Sequence, residues 1–168
     1  ALVRVDPEQA ESVLEDLAEL FRVALAETGS EVTLAQEVML AQRYLDIEQV
    51  RFGDRLRVAS EIEPGAERFL VLPLLIQPLI ENAVHHGIAH LVEGGELTIA
   101  AARVGEHLEL VIENPCDPDR PASRGAGVGL GNVRARLEAL FGHRARVDVE
   151  ALDESYRVRL LLPAVPAV

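Results

Sequence analysis

The spacing of apolar residues changes repeatedly along this chain, and those changes of period limit the folds it can adopt. Helical spacing predicts amphipathic helices over residues 7–26, 33–53, about 73–77 to 87, and 130–141. Alternating apolar residues predict strands near 55–62, 97–104, 108–112, 145–149 and 156–162. Strands joined by short turns pair antiparallel. The order therefore predicts an α+β fold: a two-layer sandwich with helices on one face of a mixed, mostly antiparallel sheet, preceded by an N-terminal helix.

Composition excludes several classes of function. The 168 residues correspond to one domain and carry a formal charge of −12, which disfavours direct nucleic-acid binding. All sixteen basic residues are Arg, so mechanisms that require a lysine, such as a Walker phosphate loop, are excluded. Cys116 is the single cysteine, so the chain cannot form an internal disulfide. No apolar run approaches the ~20 residues that a membrane-spanning helix needs. We expect a soluble, acidic, cytoplasmic domain.

The third predicted helix has an unusual polar side formed by Glu81, Asn82, His85 and His86. On an α-helix, Glu81 and His85 lie one turn apart, as do Asn82 and His86. An ordinary solvated face is the alternative interpretation. Asparagine is a mediocre helix former, however, and its amide oxygen is a hard ligand suited to Mg²⁺. A zinc site of His85, His86 and His90 is disfavoured because the HExxH spacing is absent.

A glycine-rich segment, residues 125–132, precedes the last predicted helix. Such a segment exposes backbone N–H groups beside the positive end of a helix dipole, which suits phosphate oxygens. A flexible connector is the alternative. A dinucleotide-binding fingerprint requires a strand running directly into the glycines. Here the aperiodic residues 114–127 come first and predict a long loop, which argues against that fingerprint.

Three segments together resemble the LytS-type sensor histidine kinases, a branch of the GHKL (Bergerat-fold) ATPases. Residues 77–87 (QPLIENAVHHG) resemble the N-box, and residues 127–137 (GVGLGNVRARL) resemble the glycine-rich G-box. Residues 44–52 (YLDIEQVRF) match the signature that precedes the ATPase domain. The three motifs occur in the family's order, and the resemblance covers nearly the whole chain.

The resemblance implies that Mg-ATP is held between the N-box helix and the glycine-rich segment, under a lid formed by about residues 116–124. It assigns Mg²⁺ to Asn82 and an orienting, catalytic role to Glu81. The implied nucleotide-binding residues are Asn82, His85, His86, Asn114, Gly127, Gly129, Leu130, Gly131 and Asn132. Residues 31–168 would form the ATP-binding catalytic domain, and residues 1–30 the C-terminal remnant of the dimerisation and phosphoacceptor region.

In a kinase of this family, the γ-phosphate passes to a histidine and then to a response regulator, typically one with a LytTR DNA-binding domain. The resemblance further implies a homodimeric full-length protein, with this region as the cytoplasmic domain of an inner-membrane sensor. The family's phosphoacceptor run is absent from the chain, and we expect no autophosphorylation of this chain alone.

Two departures from the family pattern support an alternative. Strand alternation puts Asn114 where the family has an adenine-binding Asp, and directs Glu113 to the other face. A hydrogen bond to a charged group contributes roughly 1.5–3 kcal/mol and a neutral one about 1, so nucleotide affinity would fall by about an order of magnitude. His85 also stands where many relatives have a phosphate-binding Lys. The alternative is a degenerate kinase domain that acts as a signalling or dimerisation scaffold with weak or no ATP binding.

Overall fold

The computed structural model describes residues 31–117 and 128–167. The predicted helix over 7–26, most of the predicted lid and Gly127 lie outside these residues. The helices are α1 (Leu34–Phe52), α2 (Gln77–Asn82) and α3 (Val128–Phe141). The strands are β1 (Val32–Thr33), β2 (Leu56–Ile62), β3 (Leu70–Val71), β4 (Gly95–Val104), β5 (His107–Pro115), β6 (Arg146–Ala151) and β7 (Ser155–Pro163). In the described part of the chain, no helix is both long and apolar enough to cross a bilayer.

Five strands form one sheet in the order β2-β4-β5-β7-β6. The β2–β4 pair is parallel and the other three pairs are antiparallel, as predicted. One face of the sheet is apolar and buried, and it packs in a single core with the inner sides of the helices. The buried apolar strand residues of this face are Leu56, Leu97, Ile99, Ala101, Leu108, Leu110, Ile112, Val158, Leu160 and Leu162. The predicted two-layer α+β architecture is confirmed.

Helix α1 begins with a capping box, the pattern formed by Thr33 and Gln36 three residues later. The Thr33 hydroxyl accepts from the Gln36 amide at 3.3 Å, while the Gln36 side chain accepts from the Thr33 amide at 2.9 Å. Gly53, at φ 57°, ends the helix. Its inner side buries Leu34 and Ala41 as expected, and also the carboxylate of Glu37, which the apolar pattern did not predict.

The third predicted helix differs from a continuous α-helix. Pro78 lies in the first turn of α2, as predicted, where its missing N–H breaks no bond. After Asn82 the chain continues as a π turn, Ala83–Gly87, and a 3₁₀ turn, Ile88–His90. The π turn is wider than an α-helical turn, and the alignment of Glu81 with His85 and of Asn82 with His86 stays a prediction.

The elements on either side of the predicted loop extend further than predicted. Strand β5 continues through Asn114 and Pro115 because β7 begins early enough to pair with both, opposite Tyr156 and Ser155. Helix α3 begins at Val128 rather than at residue 130, so Gly129 is helical as well. Tertiary packing overrides the low helix propensity of glycine there.

The apolar residues of α3 do not all face the core. Leu130, Val133 and Leu137 are buried, whereas Leu140 is 59% exposed. Leu140 lies in the last turn of the helix, which ends at Phe141, and it is not on the side that faces the sheet.

A short two-stranded sheet was not predicted, because its strands have two residues each. Antiparallel pairing joins β1 to β3, with Val32 opposite Val71. The Leu70 amide donates to Val165 O at 2.7 Å, which ties this small sheet to the C-terminal residues. It fixes the chain immediately before the turn into α2.

Candidate functional site

Helix α2 begins where the first turn of α3 packs against it. A Cβ built on Gly129 would lie 3.3 Å from Pro78 Cβ, so the two helices approach closely here and leave little room for a side chain. The predicted N-box and the helical part of the predicted G-box are therefore neighbours in space. Close approach of this kind is a reason for glycine at position 129.

The predicted polar side of the N-box is half-buried, with Glu81, Asn82, His85 and His86 all in this class. Glu81 Oε1 accepts a hydrogen bond from Gln77 Nε2 at 3.0 Å, which orients the carboxylate along the helix. Within residues 31–117 and 128–167, the Asn82 side chain has no recorded hydrogen-bond partner. Its amide oxygen is therefore compatible with a role as a ligand to a cation.

Asn114 lies at the other end of the N-box. Its side chain is 3% exposed, and Nδ2 donates to Pro115 O at 2.9 Å. A Cβ on Gly87 would collide with Asn114 Nδ2, and a Cβ on Gly95 would collide with the Pro115 ring. Gly87 and Gly95 thus make room for the end of β5 against the N-box. No described residue donates a hydrogen bond to Asn114 Oδ1.

The side chain of Glu113 points to the opposite face of the sheet, as strand alternation predicts. It forms an ion pair with Arg157 at 2.8 Å and accepts a hydrogen bond from Ser155 Oγ at 3.0 Å. A second pair, Arg159 with Glu109 at 3.2 Å, lies on the same open face. Asn114, rather than Glu113, is the polar side chain of β5 directed toward the helices.

The first turn of α3 provides backbone N–H groups that have no partner within the helix. Leu130 is 8% exposed and anchors this turn in the core, while Gly131 and Asn132 are exposed. A Cβ on Gly131 would meet no atom within 4 Å, so the backbone there faces open space. The positive end of the helix dipole adds to the preference of this turn for an anion.

Sequence reasoning did not identify Glu37 as part of this region. Glu37 is 4% exposed, and its carboxylate accepts from the backbone amides of Leu74, Leu75 and Ile76 at 2.7, 2.8 and 3.0 Å. Burial raises the pKa of Glu37 above its ordinary value, against the opposing effect of these three hydrogen bonds and of the Arg136 charge. The signal in the sequence was a glutamate at core-facing helical spacing from Leu34 and Ala41.

Two arginines also hold the backbone around the N-box. Arg136 Nη2 donates to Pro73 O at 2.6 Å, just before α2. Arg55 Nη2 donates to Leu91 O at 2.6 Å, just after the 3₁₀ turn. Both guanidinium groups donate to carbonyl oxygens where the chain turns. The spacing of residues in the sequence does not predict these contacts.

Two surface concavities lie away from these residues. One, of about 640 Å³, lies on the open face of the sheet beside Ala100 and Ala102. The other, of about 570 Å³, lies beside α1 at Val38 and Met39. Neither is lined by a predicted site residue. The nucleotide site predicted here borders residues 118–127, which are outside the described part of the chain.

The chain matches known histidine kinases in sequence. A family model described as "Histidine kinase" matches residues 1–56. Sensor histidine kinase BtsS of Escherichia coli K12 is 35% identical over 164 residues, covering 97% of this chain and 29% of that protein. Sensor protein LytS of Staphylococcus haemolyticus is 29% identical over 177 residues, covering 98% of this chain and 30% of that protein. The chain thus spans less than a third of the length of these relatives.

Solved structures of histidine kinases share the fold. Histidine kinase AdeS of Acinetobacter baumannii superposes with a TM-score of 0.67 at 14% identity, covering 97% of this chain and 84% of that one. The catalytic domain of histidine kinase ThkA gives 0.61 at 15% identity, covering 82% and 98%. At such identities the likeness shows the fold alone. In sequence, the chain is similar over nearly its whole length to sensor histidine kinases, LytS among them, and its fold is that of histidine kinase catalytic domains.

Proposed function

We propose that this chain binds Mg-ATP for phosphoryl transfer to a histidine outside it, as the catalytic domain of a sensor histidine kinase. The observation that carries the proposal is the arrangement of three polar elements along one helical segment. The first turn of α3 contacts Pro78 at its start, Asn82 lies one turn further on, and Asn114 contacts Gly87 at its end. An α-helical turn and a π turn separate Pro78 from Gly87, so the proposed phosphate-binding and adenine-binding elements lie at opposite ends of this segment.

Each element offers the chemistry that one part of the nucleotide requires. The backbone amides of Gly129, Leu130 and Gly131 would donate to phosphate oxygens, assisted by the helix dipole. Asn82 would hold Mg²⁺ through its amide oxygen, since Mg²⁺ commonly takes one or two protein oxygens together with phosphate oxygens and water. Asn114 Oδ1 would accept a hydrogen bond from the adenine amino group. Exposed Asn132 and half-buried His85 and His86 would border the phosphates, as would Gly127.

Phosphoryl transfer leaves little covalent chemistry to the protein, so the task of these residues is positioning and charge stabilisation. When bound, the metal ion neutralises charge that develops on the phosphate oxygens. The Glu81 carboxylate, held by Gln77, would orient the reacting group next to Asn82.

The wider assignments follow from the family and are part of the proposal. Residues 31–168 form the ATP-binding domain, and residues 1–30 end the dimerisation and phosphoacceptor region. The full-length protein would be a homodimeric membrane sensor with this domain in the cytoplasm. Its partner would be a response regulator carrying a LytTR domain, and this chain itself would make no direct contact with nucleic acid.

A second candidate function is a non-catalytic signalling scaffold. It is favoured by Asn114, which offers adenine an uncharged acceptor and whose amide is engaged with Pro115 O. An uncharged acceptor contributes about 1 kcal/mol where a carboxylate contributes roughly 1.5–3.

Transfer to a supplied phosphoacceptor segment distinguishes the two functions. The chain is mixed with Mg-ATP and with a separate protein that carries the dimerisation helix and histidine of a relative, and acid-labile phosphate is measured. The kinase proposal predicts labelling that disappears with Asn82→Ala, while Glu109→Gln, on the open face of the sheet, labels normally. Absence of labelling together with no nucleotide binding at millimolar concentration would support the scaffold.

A further inference from the structure

We propose that Glu37 and Arg136 are positioning residues that hold the start of α2 in the orientation that places Asn82 on the metal. The inference rests on the proposed nucleotide function and adds two residues that the N-box interpretation does not contain. Neither residue would touch the nucleotide. Both act on the turn that leads into α2.

That turn has an unusual backbone. Leu74 has φ 55°, and among the described residues no other non-glycine residue has a positive φ. A leucine is disfavoured in the left-handed region, because its Cβ approaches the following carbonyl oxygen. Such a conformation persists where the surrounding contacts determine it. The direction in which α2 leaves the turn therefore depends on those contacts.

The Glu37 carboxylate supplies contacts on the amide side. Its two oxygens accept the N–H groups of Leu74, Leu75 and Ile76, which immediately precede Gln77, the first residue of α2. Ile76, the N-cap residue, has no side-chain cap of its own. A carboxylate from α1 thus satisfies the amides at the start of α2, where negative charge is favoured.

Arg136 supplies contacts on the carbonyl side of the same peptide groups. It donates to Pro73 O at 2.6 Å and to Leu74 O at 3.4 Å. The peptide group between Pro73 and Leu74 is therefore held by Arg136 at its oxygen and by Glu37 at its nitrogen. These two side chains come from α3 and α1, so the turn joins all three helices.

The consequence is specific to one end of the site. Asn82 lies eight residues after Leu74 on a short helix that is anchored by this turn, whereas Asn114 is held separately by β5 and by its contact with Gly87. Loosening the turn would displace the metal-binding end and leave the adenine-binding end in place. A defect in Mg²⁺ use, rather than in adenine recognition, is the expected result.

The test is the dependence of ATP affinity on Mg²⁺ in this chain. ATP is titrated by calorimetry in excess Mg²⁺ and again in EDTA, and the ratio of the two Kd values gives the gain due to the metal. Glu37→Gln keeps the volume of the side chain but replaces one acceptor oxygen with an NH₂ group that faces backbone amides. We expect this ratio to fall about tenfold in Glu37→Gln, the size typical of removing an outer partner of a metal ligand, with the Kd in EDTA unchanged.

Two further variants define the outcomes. Glu109→Gln removes a carboxylate from an ion pair on the open face of the sheet and should retain the wild-type ratio. Arg136→Gln tests the carbonyl side, and it replaces Glu37→Gln as the test if thermal unfolding shows that the latter does not fold. An unchanged ratio in a folded variant overturns the inference, and so does an equal loss of affinity with and without Mg²⁺. Failure of the wild-type chain to bind ATP at all would refute the proposed function instead.

Discussion

Replacing Gly87 by alanine tests whether the end of β5 is packed against the N-box. The added Cβ would collide with Asn114 Nδ2 and would lie 3.0 Å from both Asn114 Cγ and Pro115 O. Gly87 has φ −101°, so any loss of stability in Gly87→Ala would not come from a left-handed backbone that disfavours alanine. Inserting a methyl group into a packed site typically costs about 1–3 kcal/mol. We expect the free energy of unfolding of Gly87→Ala to fall by about that amount.

Urea denaturation measures the free energy, and thermal unfolding provides an independent check. For a domain of 150–250 residues, 1 kcal/mol shifts the midpoint by about 2–4 °C, so the expected decrease is about 2–12 °C. The displaced Asn114 would also weaken adenine binding, which a parallel nucleotide titration would detect as a higher Kd.

A double-mutant cycle with Asn114→Ala identifies the cause. In the double variant the colliding amide is gone, so the two changes should cost less together than the sum of the single changes. Residues in contact commonly show coupling energies of about 0.5–3 kcal/mol. Additive effects within about 0.3 kcal/mol would mean that Gly87 and Asn114 do not touch, and would refute this packing of the N-box against β5.

Three further predictions follow from the site. Asn82→Ala removes the proposed ligand to the cation, an interaction of about 1.5–3 kcal/mol, and Mg-ATP affinity measured by calorimetry should fall about 10- to 100-fold, while an undiminished affinity would contradict the proposed role. Arg55→Ala frees the carbonyl of Leu91 and should lower the free energy of unfolding in urea by about 1–3 kcal/mol, whereas Arg157→Gln, in a partly exposed ion pair with Glu113, should lower it much less; equal effects would contradict the distinction. The pKa of Glu37 is raised in the folded state, so the folded protein binds this proton more tightly than the unfolded chain does. The stability of the wild type relative to Glu37→Gln, measured by urea titration, should therefore decrease as pH rises above about 4.5 and become constant above the folded pKa. A relative stability that rises over this interval would contradict the raised pKa.

The strands of the main sheet and helices α1 and α3 were predictable because the sequence patterns that indicate them are local. Strict alternation at Leu108, Leu110 and Ile112 predicts both the strand and its buried face, and the same alternation places Asn114 toward the helices. The capping box at Thr33 predicts the start of α1. These patterns report side-chain direction within a few residues, which is the range over which sequence periodicity is informative.

The errors occur where a distant element determines the local structure. Pairing with Tyr156 and Ser155 extends β5 through Asn114 and Pro115, which by themselves indicate a loop. Contact with Pro78 brings Gly129 into a helix that its propensity does not favour. The π turn after Asn82 leaves no pattern that helical periodicity detects.

The candidate site was predictable as residue types but not as an assembly. The N-box and G-box motifs point to Asn82 and the glycines, since those residue types are suited to direct contact with a metal or a phosphate. Residues that hold the backbone of the site in place could not be predicted in this way, because their partners are distant in the sequence. Glu37 and Arg136 bind peptide groups 37–63 positions away, and a sequence reveals nothing about which peptide a buried carboxylate or guanidinium will meet.

The most direct test of the proposed function is a crystal structure of this chain with Mg²⁺ and a non-hydrolysable ATP analogue. We expect phosphate oxygens within hydrogen-bond distance of the Gly129 and Gly131 amides, the cation on Asn82 Oδ1, and adenine at Asn114. A nucleotide bound elsewhere on the domain, or a triphosphate whose metal ion does not contact Asn82, would contradict it.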